Sequence, residues 1–164
     1  MIIDGGECDI GLESTIVKLE GDNAVLLRPG AVTYDALCCV CDNITISPAV
    51  TEALPSGERP LSPGMKYRHY APRAPLFLLD GGDSARLEFM RGKSGENCLF
   101  LCYDEEIDAI GDKALGIGAK TDFEAQAKRL FACLRVADAS DAERIYAPMP
   151  PKSGMGLALY NRLI

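Results

Sequence analysis

Residues 76–82 read Leu-Phe-Leu-Leu-Asp-Gly-Gly, and residues 98–103 read Cys-Leu-Phe-Leu-Cys-Tyr. Each is a short, unbroken apolar run, and the first is closed by a glycine turn. Runs of this length predict strands buried on both faces, the kind found in parallel sheets. Between them, Ser84 to Arg91 fits a helix. Leu115-Gly116-Ile117 is a weaker strand, and Arg144 to Ala147 is another short one. The strongest helix is predicted from Thr121 to Asp138, where Phe123, Ala127, Leu130, Phe131 and Leu134 recur on one face. Thr121 and Glu124 have the spacing of a capping box. Gly156 to Ile164 is a last helix. This strand–helix alternation over residues 74–164 predicts an α/β unit, a small parallel sheet with helices on both faces. The full Gly-x-Gly-x-x-Gly fingerprint is absent around Gly81-Gly82, so no dinucleotide loop is expected there.

Upstream the pattern changes. Over residues 1–47, Ser14 to Leu19 and Ala24 to Leu27 are β-prone, and Glu20-Gly21-Asp22-Asn23 supplies a turn, which predicts a hairpin. Thr33 is a plausible N-cap for a short helical run to Val40, and Ile44 to Ser47 is β-prone again. A hairpin with one short helix cannot bury enough surface to stand alone. It is therefore expected to pack on the later unit or to be the tail end of a larger domain. Its open sheet edge is a pairing hazard, so a homodimer through residues 1–47 is an expectation. Residues 48–73 hold Pro48, Pro55, Pro60, Pro63 and Pro72 with Gly57 and Gly64, a density that predicts a linker without regular structure.

The bulk numbers bound the function. The 164 residues, 48% hydrophobic and 25% charged, suit one ordinary domain or two small ones. A net charge of −7 argues against a broad nucleic-acid surface. No run of about 18 apolar residues suggests a membrane span. Met1-Ile2-Ile3-Asp4-Gly5 lacks the regions of a signal peptide. Seven cysteines in irregular spacing argue against a disulfide framework. Cys38, Cys39 and Cys41 have neither the histidines nor the second cysteine pair of a zinc site. They are expected to be reduced thiols of a cytoplasmic protein, and no metal ligands are assigned.

One segment is unlike the rest. Residues 62–72 read Ser-Pro-Gly-Met-Lys-Tyr-Arg-His-Tyr-Ala-Pro and include His69, the only histidine of the chain. The prolines stiffen it and push it toward extended structure. An extended strand carrying Lys66, Tyr67, Arg68, His69 and Tyr70 is suited to lie across a phosphate-bearing ligand. Alternation places Tyr67 and His69 on one face and Lys66, Arg68 and Tyr70 on the other.

Together with Asp4-Gly5-Gly6, Gly11-Leu12-Glu13-Ser14-Thr15-Ile16-Val17 and Leu27-Arg28-Pro29-Gly30, this segment resembles the two-domain, YrdC-type L-threonylcarbamoyl-AMP synthases. Tyr160-Asn161-Arg162-Leu163-Ile164 is similar to the end of that family's C-terminal domain. The resemblance spans essentially the whole chain but rests little on residues 76–150. It implies that residues 1–47 are the C-terminal fragment of a YrdC-like α/β catalytic domain, that 48–73 form a linker and lid, and that 74–164 form a small Rossmann-like domain. It further implies a part in making threonylcarbamoyl-AMP from L-threonine, bicarbonate and ATP, with pyrophosphate released and magnesium on the phosphates. The product would serve tRNA modification, and tRNA would be met only through downstream enzymes. The cation-rich front half of the family's active site has no counterpart here, so the chain by itself is expected to be inactive. A second reading, from another class, is a non-catalytic interaction module that keeps only the lid and the second unit.

Carried over by motif, Ser14 matches the serine that holds threonine, since a hydroxyl can donate to a carboxylate or accept from an ammonium. Arg28 matches an arginine that meets ATP, as guanidinium binds phosphate and stacks on a base. Tyr67 matches a lid tyrosine at the nucleotide, and Lys66, Arg68 and His69 are further contacts of the lid. Lys18 stands where the family commonly has an acid.

Overall fold

The computed structural model describes residues 1–6, 8–52 and 71–164. They form two sheets. In the first, β1 (Ile16–Glu20) and β2 (Asn23–Arg28) make the expected antiparallel hairpin, and Gly21 takes the left-handed φ of +60° that its tight turn requires. β3 (Ile44–Ile46) joins parallel to β2, giving the order β1-β2-β3 with β1 at an edge. Between β2 and β3 lies α1 (Tyr34–Cys38). Its N-cap is Thr33, whose hydroxyl oxygen accepts from the Ala36 N–H at 3.2 Å.

The second sheet is parallel throughout. Its strands are β4 (Leu76–Leu79), β5 (Cys98–Cys102), β6 (Ala114–Gly116) and β7 (Arg144–Pro148), in the order β4-β7-β5-β6. Side chains of one strand alternate between its faces. Phe100 and Tyr146 meet Met90 of α2 (Asp83–Gly92) and Ile110 of α3 (Ile107–Ile110). Their neighbours Leu101 and Ile145 meet Leu130 and Leu134 of α4 (Phe123–Ala139) and Leu159 of α5 (Gly154–Leu163). Helices thus cover both faces, as the alternation predicted. The first strand stands at the edge rather than the centre, unlike the dinucleotide-binding order.

Three local expectations change, and one unexpected turn appears. β4 is an edge strand with Phe77 45% exposed, so it is not buried on both faces. The cap of α4 is Asp122 rather than Thr121. Its carboxylate accepts from the Ala125 N–H at 2.9 Å, and its negative charge suits a helix N-terminus. The acidic run after β5 is ordered as a 3₁₀ turn, Asp104–Glu106, in which Glu106 is buried and paired with Arg86. Pro48–Val50 also form a 3₁₀ turn inside the stretch read as irregular; proline fits the first position of such a turn.

Val50 explains why that turn forms. It is fully buried with Leu26 of β2 and Leu157 of α5, in the core of the first unit. α5 therefore serves both sheets, with Leu157 against the first and Leu159 against the second. Two hydrogen bonds reinforce the contact: Tyr160 Oη donates to the Thr51 carbonyl at 3.3 Å and Asn161 Nδ2 to that of Val50 at 2.8 Å. On the other side, Gly11 at φ +73° lies so near α4 that a Cβ would stand 2.5 Å from Lys128 Cα.

Truncating Leu157 removes an anchor common to both units. Leu157→Ala is expected to cost about 2–5 kcal/mol, read as a lower midpoint in urea. A loss below about 1 kcal/mol would show that α5 does not hold the first sheet in place.

Candidate functional site

The site forms where the approach to β1 crosses the exit from β2. Ser14 is exposed in the stretch just before β1, and Arg28 is the last residue of β2. Arg28 pairs with Ile16 across the hairpin, and the register slips between Ile16 and Val17. The slip re-aims the strand. The Arg28 side chain turns back on Ser14, with Nε donating to its carbonyl at 2.9 Å and Nη2 to its hydroxyl at 3.2 Å. The two residues carried over from separate motifs, fourteen positions apart, are thus in direct contact.

Glycine permits this crossing. A Cβ on Gly30 would stand 2.6 Å from the Thr15 nitrogen and 2.7 Å from the Glu13 carbonyl oxygen, closer than any side chain tolerates. Thr15 Oγ1 secures the crossing from the other side by donating to the Val32 carbonyl at 2.8 Å.

A charged group that sequence reasoning missed stands beside the pair. Glu13 Oε2 accepts from Arg162 Nε at 2.6 Å, and Arg162 belongs to α5. Burial alone would raise the Glu13 carboxyl. The hydrogen bond and charge of Arg162, with the charge of Arg28, outweigh it and hold Glu13 below its ordinary value. Burial and the nearby Arg162 cation lower Arg28, while Glu13 opposes that shift. Glu13 and Arg162 both lay inside segments that carried the resemblance. Their 149-residue separation gave no sign that they meet.

Tyr67, Lys66, Arg68 and His69 lie outside the described residues. Among the described residues no group of three or more His, Cys, Asp or Glu is placed to hold a metal ion, and no helix is long and apolar enough to cross a membrane. Cys38 and Cys39 are exposed free thiols; Cys102 is buried, and burial pushes its thiol up to about 12.

Comparison with known proteins fits this geometry into a family. A profile described as the C-terminal domain of threonylcarbamoyl-AMP synthase matches residues 32–164. The chain belongs to the threonylcarbamoyl-AMP synthase family. It is 34% identical over 166 residues to the threonylcarbamoyl-AMP synthase of Bacillus subtilis, covering 99% of this chain and 47% of that protein. It is 36% identical over 171 residues to the synthase of Pyrococcus abyssi, again covering 99% of this chain and 47% of the relative. In structure it resembles P. abyssi Sua5 complexed with L-threonine, with a TM-score of 0.75 and 33% identity over 98% of this chain and 47% of that one. The chain thus spans about half the length of the synthases it matches.

The sign of the Glu13 shift fixes a pH dependence. A carboxyl lowered in the folded state stabilises above its ordinary value of 4.5, and that contribution drains away as pH falls through the lowered value. The Tm difference between the wild-type chain and Glu13→Gln is therefore expected to be constant above about pH 5 and to shrink in more acid solution. A difference that grew on acidification would contradict the pairing.

Proposed function

We propose that this chain carries one wall of the active site of an L-threonylcarbamoyl-AMP synthase. The observation that carries the reading is the Ser14–Arg28 contact, in a fold that resembles a threonine-bound relative. In this reading the Ser14 hydroxyl holds the substrate threonine and the Arg28 guanidinium meets ATP. Threonine's amine takes up carbon dioxide to give a carbamate. A carbamate oxygen attacks the α-phosphate, and pyrophosphate leaves. Arg28 stabilises charge on the phosphates, and Ser14 fixes the amino acid close to them. Tyr67 and the neighbouring lid residues exclude water from the mixed anhydride.

Magnesium enters with the ATP phosphates. The carboxylate beside Arg28, that of Glu13, is already held by Arg162, so the residues at this wall do not fit a metal ion and no step is assigned to one. The setting is the cytoplasm, and the product passes to the enzymes that modify tRNA. Because the chain spans 47% of its relatives' length, the chemistry is that of the whole synthase.

The test uses the protein in its full native length, supplied with threonine, bicarbonate and ATP, and follows pyrophosphate and threonylcarbamoyl-AMP. Ser14→Ala is expected to raise KM for threonine about tenfold or more, as for one hydrogen bond to a charged group. Arg28→Ala is expected to act on ATP. Deleting residues 62–72 is expected to lower the yield or shorten the product's lifetime. Wild-type protein that forms no product, or variants that leave both KM values unchanged, would overturn the reading.

A further inference from the structure

The two residues read as ligand contacts are not held by their own sheet alone. Arg162, on the last turn of α5, reaches across from the second unit with a side chain only 9% exposed. Its guanidinium spends its donors on three partners: Nε on Glu13 Oε2 at 2.6 Å, Nη2 on the Pro29 carbonyl at 3.3 Å and Nη1 on Asn161 Oδ1 at 2.6 Å. Asn161 is itself fixed, since its Nδ2 donates to the Val50 carbonyl at 2.8 Å. The planar fork therefore has little freedom to turn.

The identity of the two partners across the boundary is the informative part. Glu13 immediately precedes Ser14, and Pro29 immediately follows Arg28. One guanidinium from the second unit thus grips the chain on both sides of the crossing, while the guanidinium of Arg28 closes it from within. A contact whose only purpose was to glue two units could fall anywhere on the first sheet. Among the described residues of the first unit, this one falls on the neighbours of both residues. Gly30 leaves the two segments in van der Waals contact, so a shift of either is felt by the other.

We propose that Arg162 is a positioning residue for the threonine and ATP wall, acting through Glu13 and Pro29 to set the distance between Ser14 and Arg28. The proposal makes the C-terminal unit part of the ligand site's support rather than an appended lobe. Its effect on threonine rests on the functional reading of Ser14 given above. Its effect on local order does not.

Three variants of the full-length protein test it. Arg162→Met removes both cross-unit bonds. Arg162→Lys keeps an ion pair with Glu13 but cannot also reach the Pro29 carbonyl. Glu13→Gln removes the charge from a site one-third exposed and leaves the fold intact. For Arg162→Met, KM for threonine is expected to rise about tenfold, with kcat within about twofold. Amide hydrogen exchange is expected to quicken at residues 13–15, Arg28 and Gly30 while β5 and β7 keep their protection. Arg162→Lys is expected to recover part of both effects, and Glu13→Gln to reproduce them in reduced form. Faster exchange spread evenly over the second sheet, or unchanged exchange at residues 13–15, Arg28 and Gly30, would overturn the proposal. So would a lysine variant no better than methionine. If the wild-type protein showed no dependence on threonine at all, the functional reading would fall, and the exchange comparison would still decide the clamp.

Discussion

Everything in the first unit depends on the burial of one helix by two sheets. A three-stranded sheet with a five-residue helix has too little apolar surface to close a core of its own. Its buried cluster is small, with Leu26 and Val50 at the centre, and it is completed by Leu157 from α5. The same helix places Leu159 in the larger core of the parallel sheet, so it cannot shift to suit one partner without disturbing the other. The hydrogen bonds of Tyr160 and Asn161 to the carbonyls of Thr51 and Val50 satisfy backbone groups that the short 3₁₀ turn leaves open.

That arrangement gives the crossing of residues 13–15 and 28–30 its geometry. The Ser14–Arg28 contact needs two segments closer together than strand spacing alone would bring them. Gly30 removes the steric obstacle, the irregularity after Ile16 re-aims the strand, and the pair Glu13–Arg162 supplies an outer tether. All three devices act on the backbone or from outside the pair, and together they bring Ser14 and Arg28 into contact.

Much of the fold was legible because its signals are local. The apolar runs 76–79 and 98–103, the turn before Asn23 and the 3.6-residue pattern of α4 depend on neighbours in sequence, and all appear as elements. What misled was whatever depended on distant packing. Leu76-Phe77-Leu78-Leu79 looks fully buried, but the strand order leaves it at an edge. Asp104-Glu105-Glu106 carries no local sign of a buried partner, and only the fold brings Arg86 to Glu106. Thr121 has the capping-box spacing, but the carboxylate one residue later wins the helix end. Of the candidate site, Ser14 and Arg28 were named from their motifs, and the structure shows that they touch. Their mutual contact, and that of Glu13 with Arg162, arise from a chain reversal and a helix 149 residues away. Charge and spacing in one dimension do not encode such a meeting.

Two ion pairs in this protein show why the cross-unit one can serve as a coupling. Arg86 and Glu106 lie within the second unit with side chains 5% and 8% exposed, and the buried Nε of Arg86 donates to nothing among the described residues. Stripping water from both ions and leaving one donor unmet costs more than a docking contact could easily repay. The surrounding sheet and helices hold that pair together, with Asp83 and the face of Tyr103 sharing the cation. Arg162–Glu13 is built differently. The Arg162 side chain is only 9% exposed, but its three donor nitrogens all have acceptors, and Glu13 keeps a third of its side chain in water. The carboxylate therefore gives up little hydration when the two units meet, while the attraction acts over 2.6 Å in a partly dry site. A pair with that balance favours docking and still registers any displacement of Glu13, which is what a tether beside Ser14 has to do.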